Sequence, residues 1–319
     1  MADDRLPAPT ASVSAAGLIP PDPAALRRGL ARLAAQAEVP WLHAEAARRM
    51  GGKLELIRTR PARVLEWWAW SGAGGQVLRQ AYPQSSMTAA EPTPGLLGRH
   101  SSRESRPSRW PVRWARALAS RTIPAVLDAD VPAASADLLW ANMVLHAVDD
   151  PAALMARWRD ALAIDGMLMF SCLGPDTARE LQALYRRLGW PPPRHELQDM
   201  HDIGDQLVHA GFADPVMDME RLTVTWQDPA AMLREVHGWG GNAHPRRFGG
   251  LRTPRWQGRL LCELESLRRP DGTLALTVEL IYGHAVRPVP RARMQAQTTV
   301  SLDDMRAMTR AGRSQAHRS

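Results

Sequence analysis

Residues 136–174 read ADLLWANMVLHAVDDPAALMARWRDALAIDGMLMFSCLG, and this stretch decides the fold class. The apolar runs 136–148 and 166–174 lack alternation of polar residues, which is typical of strands buried on both faces. The helical pattern between them, 150–162, begins with Asp150 as its N-cap and Pro151 in its first turn. A strand, a helix and a second strand in this order predict two parallel neighbours in one sheet.

The same alternation continues on both sides of this stretch. Further strands are predicted at 62–70, 85–91, 122–130, 219–226 and 274–286, and further helices at 74–82, 176–189, 201–212, 228–239 and 253–268. Two helices interrupted at Pro40 are predicted between Pro23 and Ile57. We therefore predict an α/β fold with a mostly parallel sheet, an antiparallel end and added N-terminal helices.

Three polar side chains lie at the predicted carboxyl ends of strands, where open α/β sheets bind ligands. Glu91 closes the second strand and can accept from both hydroxyls of a ribose, or it is a solvated acid. Asp128, after the third strand, can accept from the exocyclic amine of adenine, or it serves the turn before Pro132. Asn142 in the fourth strand is a ligand contact or a core residue with its hydrogen bonds satisfied.

Two glycine-rich segments are further candidates. Gly72, Gly74 and Gly75 follow the first strand and would let the backbone approach a ligand, although a glycine-rich loop is a weak indication by itself. The segment 240–259 is rich in glycine and arginine. Arginine pairs bidentately with carboxylate or phosphate, and the alternative is a solvated loop.

Several other chemistries find no support in the sequence. It contains no Walker loop, HExxH, CxxC or GxSxG motif. The histidines at 195, 201 and 209 lack the spacing of metal ligands, so no metal site is predicted. Cys172 lies in an apolar strand and is predicted to be an inert core residue.

Length and composition indicate an ordinary globular protein. The chain has 319 residues, of which 45% are hydrophobic and 23% are charged. No apolar run reaches the roughly 18 residues of a membrane span, and the first residues lack the pattern of a secretory signal. Two cysteines exclude a disulfide scaffold, so we expect a cytoplasmic protein.

The net charge of +7 is concentrated in two segments. Residues 98–122 contain seven arginines against one acid, and residues 289–319 contain six arginines against two acids. Such patches favour acidic partners: nucleic acid, anionic lipid or an acidic protein. Trp110 and Trp114 in the first patch could stack on bases, but their helical spacing is more often that of core residues. Nucleic-acid binding is therefore the weakest of these hypotheses.

The ends of the chain lack helical or strand periodicity. Residues 1–22 are rich in Ala, Pro, Ser and Asp, and we predict a disordered lead. Residues 288–319 are basic and polar, and we predict a disordered tail. The predicted domain is therefore 23–287.

Four segments together resemble the biotin-synthesis protein BioC family, the malonyl-carrier-protein O-methyltransferases. They are SADLLWANMVLHAVDDPAAL (135–154), GMLMFSCLGPDTARELQAL (166–184), DMHDIGDQLVHAGFADPVMDME (199–220) and LTVELIYGHA (276–285). The resemblance implies a Rossmann-like class I methyltransferase with a seven-stranded sheet that binds S-adenosylmethionine. The family's methyl acceptor is the free carboxyl of a malonyl thioester on acyl carrier protein, an acidic partner.

The resemblance also assigns residues by position. Glu91 matches the ribose-binding acid, Asp128 and Ala129 match the adenine-contacting pair, and Asn142 begins the segment that floors the cofactor site. Glu66 matches the acid that opens the family's acid-x-Gly-x-Gly-x-Gly motif. An arginine of the segment 240–259 would hold the malonyl carboxylate, and the candidates are Arg246, Arg247 and Arg252.

The glycine motif of this chain departs from the family pattern. In register the chain carries Trp68 and Trp70 at two glycine positions, and only Gly72 remains. A Trp side chain buries roughly 150–250 Å² and would fill a site where backbone must touch a cofactor, unless the loop is rerouted through Gly74. The alternative to an active methyltransferase is therefore a non-catalytic relative that binds or assembles other proteins. A subgroup of the family linked to hydroxylation of protein arginine is a further alternative.

Overall fold

The computed structural model describes residues 17–56, 60–104 and 123–290. The chain divides into two units, Met1–Pro288 and Val289–Ser319, and every element named below belongs to the first. Of the predicted basic tail, only Pro288 to Pro290 are described. The structure also does not describe Trp110 and Trp114 of the basic segment. Of the predicted lead, residues 17–22 are described.

Seven strands form one sheet in the order β3-β2-β1-β4-β5-β7-β6. The neighbours among β1 to β5 pair in parallel, and β7 runs antiparallel to both β5 and β6. The strands are β1 Arg63–Trp67, β2 Ser86–Glu91, β3 Ala125–Leu127, β4 Ala136–Ala141, β5 Leu162–Leu173, β6 Ala213–Trp226 and β7 Leu274–Val286. The predicted mostly parallel sheet with an antiparallel end is confirmed.

The described residues form ten α-helices, several of which begin at a side-chain cap. They are α1 Pro23–Ala35, α2 Trp41–Gly52, α3 Ala69–Gly72, α4 Gly75–Ala81, α5 Pro94–Glu104, α6 Pro151–Ala161, α7 Arg179–Arg187, α8 Met200–His209, α9 Pro229–Gly238 and α10 Pro254–Glu265. Four of them place Asp or Thr at the N-cap directly before a proline, at Asp22, Asp150, Asp228 and Thr253. The cap side chain accepts a hydrogen bond from a backbone N–H of the first turn. Proline has no N–H, so at the first helical position it leaves no donor unpaired. None of the described helices is long and apolar enough to cross a membrane.

Helices cover both faces of the sheet. One buried cluster joins the sheet to α2 and α7, with Leu42 and Leu181 among its members, and a second joins it to α6 and α8, with Trp158 and Leu207. Successive residues of a strand divide between the clusters, since Leu138 and Leu139 of β4 belong to different ones. This two-sided burial explains the continuous apolar runs of the sequence.

Several strand boundaries differ from the prediction. The first strand ends at Trp67 rather than at residue 70, because the helical turn α3 begins at Ala69. The third spans only Ala125–Leu127 of the predicted 122–130, and the fifth begins at Leu162 rather than at residue 166.

The fourth strand ends at Ala141 rather than at residue 148, because Met143 adopts a left-handed conformation with φ 59° and turns the chain out of the sheet. Its N–H donates to the carbonyl oxygen of Ser171 at 3.0 Å. Val144 and Leu145 directly beyond the turn are buried and apolar, so the sequence pattern continues although the strand does not. The edge strand β6 begins at Ala213, six residues before the predicted start at 219.

The topology identifies where a ligand would bind. From β1 the chain moves outward to β2 and β3, then returns to place β4 on the other side of β1. The carboxyl ends of β1 and β4 are therefore the switch point, and open α/β sheets bind ligands in the crevice there. The loops after these two strands are considered next.

Close packing across β5 and β7 gives a test of the fold. A Cβ at Gly283 would overlap the Phe170 ring and lie 2.9 Å from Met217 Sδ. We expect Gly283→Ala to lower the free energy of unfolding by about 1–3 kcal/mol through overpacking, measured by urea denaturation.

The matched control is Gly258→Ala, because a Cβ at this exposed position of α10 meets nothing within 4 Å. We expect it to leave stability unchanged or to raise it by up to about 1 kcal/mol. Equal destabilisation by the two variants would contradict the packing of Phe170 on Gly283.

Candidate functional site

The loop after β1 is a buried turn of helix that carries tryptophans. Trp68 has φ 56° and ψ 51°, a left-handed conformation that favours glycine, and its N–H donates to Ala90 O at 2.7 Å. The helical turn Ala69–Gly72 follows at once, with the Gly72 N–H donating to Trp68 O at 2.8 Å. The backbone thus keeps a glycine-like conformation at a position occupied by tryptophan.

Glu66 holds the end of this loop. Its Oε1 accepts from the Gly74 N–H at 2.6 Å, and a Cβ at Gly74 would overlap the Trp140 indole and lie 2.8 Å from Glu66 Oε1. Gly74 is therefore required for close packing at the start of α4. Burial raises the pKa of Glu66 to about 7, although the Gly74 N–H opposes this rise by favouring the charged form.

Asn142 is a fully satisfied core residue at the carboxyl end of β4. Its Nδ2 donates to the carbonyl oxygens of His43 at 2.8 Å and Gly72 at 2.6 Å, and its Oδ1 accepts from Ser171 Oγ at 2.6 Å. The residue is 0% exposed. Of the two interpretations of Asn142, the structure has the geometry of the satisfied core residue, because its donors and its oxygen are already engaged.

Glu91 contacts the chain's own backbone. Its Oε1 accepts from the Trp70 N–H at 2.7 Å, while its Oε2 is buried and has no hydrogen-bond partner. The Trp70 indole packs with Leu33 of α1 and Leu96 of α5, and the Arg99 guanidinium lies 4.6 Å from the ring centroid. The acid expected to bind a ribose therefore contacts the peptide N–H that follows the first strand.

Asp128 is engaged at both oxygens. Its Oδ2 accepts from the Trp68 indole N–H at 3.0 Å, and its Oδ1 lies 3.1 Å from the Arg157 guanidinium. Ala129 is exposed in the short 3-10 turn Asp128–Asp130. The acid expected to accept from adenine therefore accepts from an indole.

In this arrangement the predicted cofactor residues do not fit a bound cofactor. Trp70 and Trp68 occupy Oε1 of Glu91 and Oδ2 of Asp128, two of the oxygens that the nucleoside would need. Both N–H groups of the Asn142 amide are already donated to carbonyl oxygens. Two cavities lie beyond the ends of β4 and β5, and neither is lined by a predicted cofactor residue, namely Glu66, Gly72, Gly74, Glu91, Asp128, Ala129 or Asn142.

The two cavities share the wall formed by His146 and His195. Cavity A, of about 370 Å³, extends toward Ile19 and Asp150, and cavity B, of about 350 Å³, extends toward Trp256. His195 Nε2 lies 3.0 Å from His146 O, and its Nδ1 is buried without a hydrogen-bond partner. Burial lowers the pKa of His195 to about 4, so this ring is neutral at physiological pH.

The three candidate arginines differ in their surroundings. Arg252 lines cavity B, and its guanidinium stacks on two aromatic rings. Its Cζ lies 3.8 Å from the centroid of the Phe248 ring and 4.0 Å from that of the Trp256 ring. Arg247 also lines cavity B but is paired with Asp22 at 2.6 Å. Arg246 is exposed and lines neither cavity.

Sequence reasoning missed Arg194, which also lines cavity B. It donates to the carbonyl oxygens of Thr177, His195 and Pro175, and burial lowers its pKa to about 10. Sequence reasoning also missed the stacking of Arg252 on aromatic rings. The available signal was one aromatic residue four positions before Arg252 and another four positions after it. Arg194 follows three consecutive prolines, which gave no indication that its side chain would be buried.

The fold and the position of the site define a class of protein. The strand order with a reversed β7 is that of the class I methyltransferases, which confirms the expected fold class. No protein-family model matches the chain.

Known relatives identify the family. The chain is 38% identical over 272 residues to the malonyl-(acyl-carrier protein) O-methyltransferase of Laribacter hongkongensis (strain HLHK9), covering 83% of this chain and 87% of the relative. It is 37% identical over 255 residues to the enzyme of that name from Gallionella capsiferriformans (strain ES-2), covering 78% and 85%. This chain belongs to the malonyl-(acyl-carrier protein) O-methyltransferase family, as its sequence indicated.

The raised pKa of Glu66 generates a prediction about stability. Its folded-state pKa of about 7 lies above its ordinary value of 4.5, so the folded protein keeps a proton that the unfolded chain releases. The resulting stabilisation is complete below pH 4.5 and is lost as the pH rises through 7. Between pH 5 and pH 8 we expect the free energy of unfolding of the wild type to fall by roughly 2–3 kcal/mol relative to that of Glu66→Gln, measured by urea denaturation.

Glu66→Gln keeps an oxygen that accepts from Gly74 and cannot ionise. Buried histidines such as His43, whose pKa burial lowers to about 4, act equally in both proteins and cancel in the difference. A difference in stability that does not change with pH would show that Glu66 ionises normally in the folded protein.

Proposed function

We propose that this chain methylates the free carboxyl of a malonyl thioester carried on an acyl carrier protein, with S-adenosylmethionine as methyl donor. This is the biotin-pathway reaction implied by the family. The observation that carries the proposal is the 38% identity to a relative bearing that activity in its name, over 87% of the relative's length.

Cavity B is our candidate for the acceptor. It lies beyond the end of β5 and combines aromatic walls, from Tyr185 and Trp256, with the charge of Arg252. Arg252 makes no ion pair with any carboxylate of the described residues, and stacking on two rings fixes the plane of its guanidinium. A carboxylate that enters the cavity could therefore form a bidentate pair without displacing an existing ion.

Of the three candidate arginines we assign the malonyl carboxylate to Arg252. Arg247 is a poorer choice because pairing it with substrate would break its ion pair with Asp22. Arg246 and Arg255 are exposed, and we propose that they favour an acidic carrier protein through longer-range attraction.

A second candidate is a non-catalytic member of the family that binds malonyl carrier protein without methylating it. The specific observation in its favour is that Glu91 and Asp128 are already hydrogen-bonded to Trp70 and Trp68. This candidate keeps the role of Arg252 and cavity B but predicts that no methylated carrier forms.

The two candidates are separated by one assay. The purified chain is incubated with S-adenosylmethionine and malonyl carrier protein, and the intact carrier is weighed by mass spectrometry. We expect the mass to increase by one methyl group. Binding of the malonyl carrier without any methylated product over a long incubation would favour the second candidate.

The role of Arg252 has its own test. We expect Arg252→Gln to lower kcat/KM for malonyl carrier protein by about 10- to 100-fold, mainly through KM, because a charge-assisted pair to the carboxylate is lost. The matched control is Arg255→Gln. Arg255 lies three residues further along the chain and carries the same charge, but its side chain does not line cavity B. Equal losses in the two variants would assign the effect to general attraction of the carrier rather than to a carboxylate site.

A further inference from the structure

We propose that the nucleoside half of the cofactor site is held closed by this chain's own tryptophans, which take the hydrogen-bonding positions of the cofactor. The inference rests on the proposed function in one respect: the ligand excluded is S-adenosylmethionine. A cofactor that binds at the switch point must first displace Trp68 and Trp70.

Trp68 meets the requirements of the adenine position. An adenine would present a flat aromatic ring and an exocyclic N–H to an acid after the third strand. The Trp68 indole presents a flat ring, 6% exposed, and donates its N–H to Asp128 Oδ2 at 3.0 Å. The ring belongs to the buried cluster that contains Val144 and Leu145 of the segment after β4.

Trp70 occupies the ribose position through its backbone. The two oxygens of Glu91 could accept from the two neighbouring hydroxyls of a ribose. The internal contacts, the Trp70 N–H at 2.7 Å and His100 Nδ1 at 3.4 Å, reach Oε1 only. Oε2 remains buried without a hydrogen-bond partner. The internal contact therefore satisfies Glu91 less completely than the nucleoside would, and this favours displacement by ligand over permanent closure.

The backbone of the loop is compatible with an open site. At φ 56° Trp68 occupies a conformation that glycine adopts without strain, so the Trp68→Gly variant should keep the path of the chain. The Trp68 indole closes the adenine position by its volume. The Trp70 indole, 5% exposed, packs against Leu33, Leu96 and Arg99 and thereby holds the Trp70 N–H on Glu91.

The experiment compares S-adenosylhomocysteine binding to the wild type and to Trp68→Gly/Trp70→Gly by isothermal titration calorimetry. We expect the double variant to bind at least about tenfold more tightly, because the ligand no longer competes with the Trp68 indole or with a peptide N–H that the Trp70 indole anchors on Glu91. Glu91→Gln in the double-variant background should remove the gain, which would assign the binding to the nucleoside site. Equal or weaker binding by a folded double variant would overturn the proposal.

Trp70→Gly removes a packed indole, so the double variant could fail to fold. The single variant Trp68→Gly is then titrated instead, since its backbone already has the conformation of glycine. It should still bind S-adenosylhomocysteine more tightly than the wild type. Unchanged affinity in this variant would also overturn the proposal.

The results that would contradict this inference differ from those that would contradict the proposed function. Tighter binding by the glycine variants with no methylated carrier from any protein would support closure by tryptophan and contradict the methyltransferase activity. Methylation by the wild type, with no gain of affinity in either glycine variant, would contradict closure and support the activity.

Discussion

The arrangement of the switch point depends on the hydrogen bonds of one buried amide. Asn142 joins four separate parts of the chain: its own strand β4, the His43 carbonyl in α2, the Gly72 carbonyl in the loop after β1, and Ser171 in β5. A buried amide without these partners would be strongly destabilising, so the four parts are held in one relative position. The loop after β1 therefore has its far end fixed before any ligand is considered.

A second constraint acts two residues further along the same loop, at Gly74. Gly74 packs against Glu66 and the Trp140 ring so closely that no side chain fits, and this contact starts α4 at a fixed place. The loop thus starts at Trp67 in the sheet and is held at Gly72 and Gly74, so residues 68–71 have little freedom and the indole groups at 68 and 70 must be buried locally. They are accommodated by Asp128 on one side and by α1 and α5 on the other.

The sequence predicted the fold more completely than the site, for physical reasons. Strand and helix periods are local properties, so the alternation around 136–174 was sufficient for a parallel sheet, and the strand patterns at 219–226 and 274–286 added its antiparallel end. The pairing of Trp68 with Asp128 spans 60 residues, and no local pattern encodes which partner a buried donor will find. The end of β4 was missed because Met143 turns the chain while the mostly apolar pattern continues. Arg194 was missed because its burial depends on the carbonyls of Thr177 and Pro175, which lie 17 and 19 residues away.

The left-handed backbone at Trp68 has a consequence for the gene. The tryptophan codon TGG differs from the glycine codon GGG at one base, so each motif glycine is a single nucleotide change away. Because the backbone at Trp68 already suits glycine, the first of these changes needs no compensating rearrangement of the chain. The distance between the tryptophan-filled loop and the glycine motif of the family is therefore short in mutational terms, and it can be crossed one base at a time in either direction.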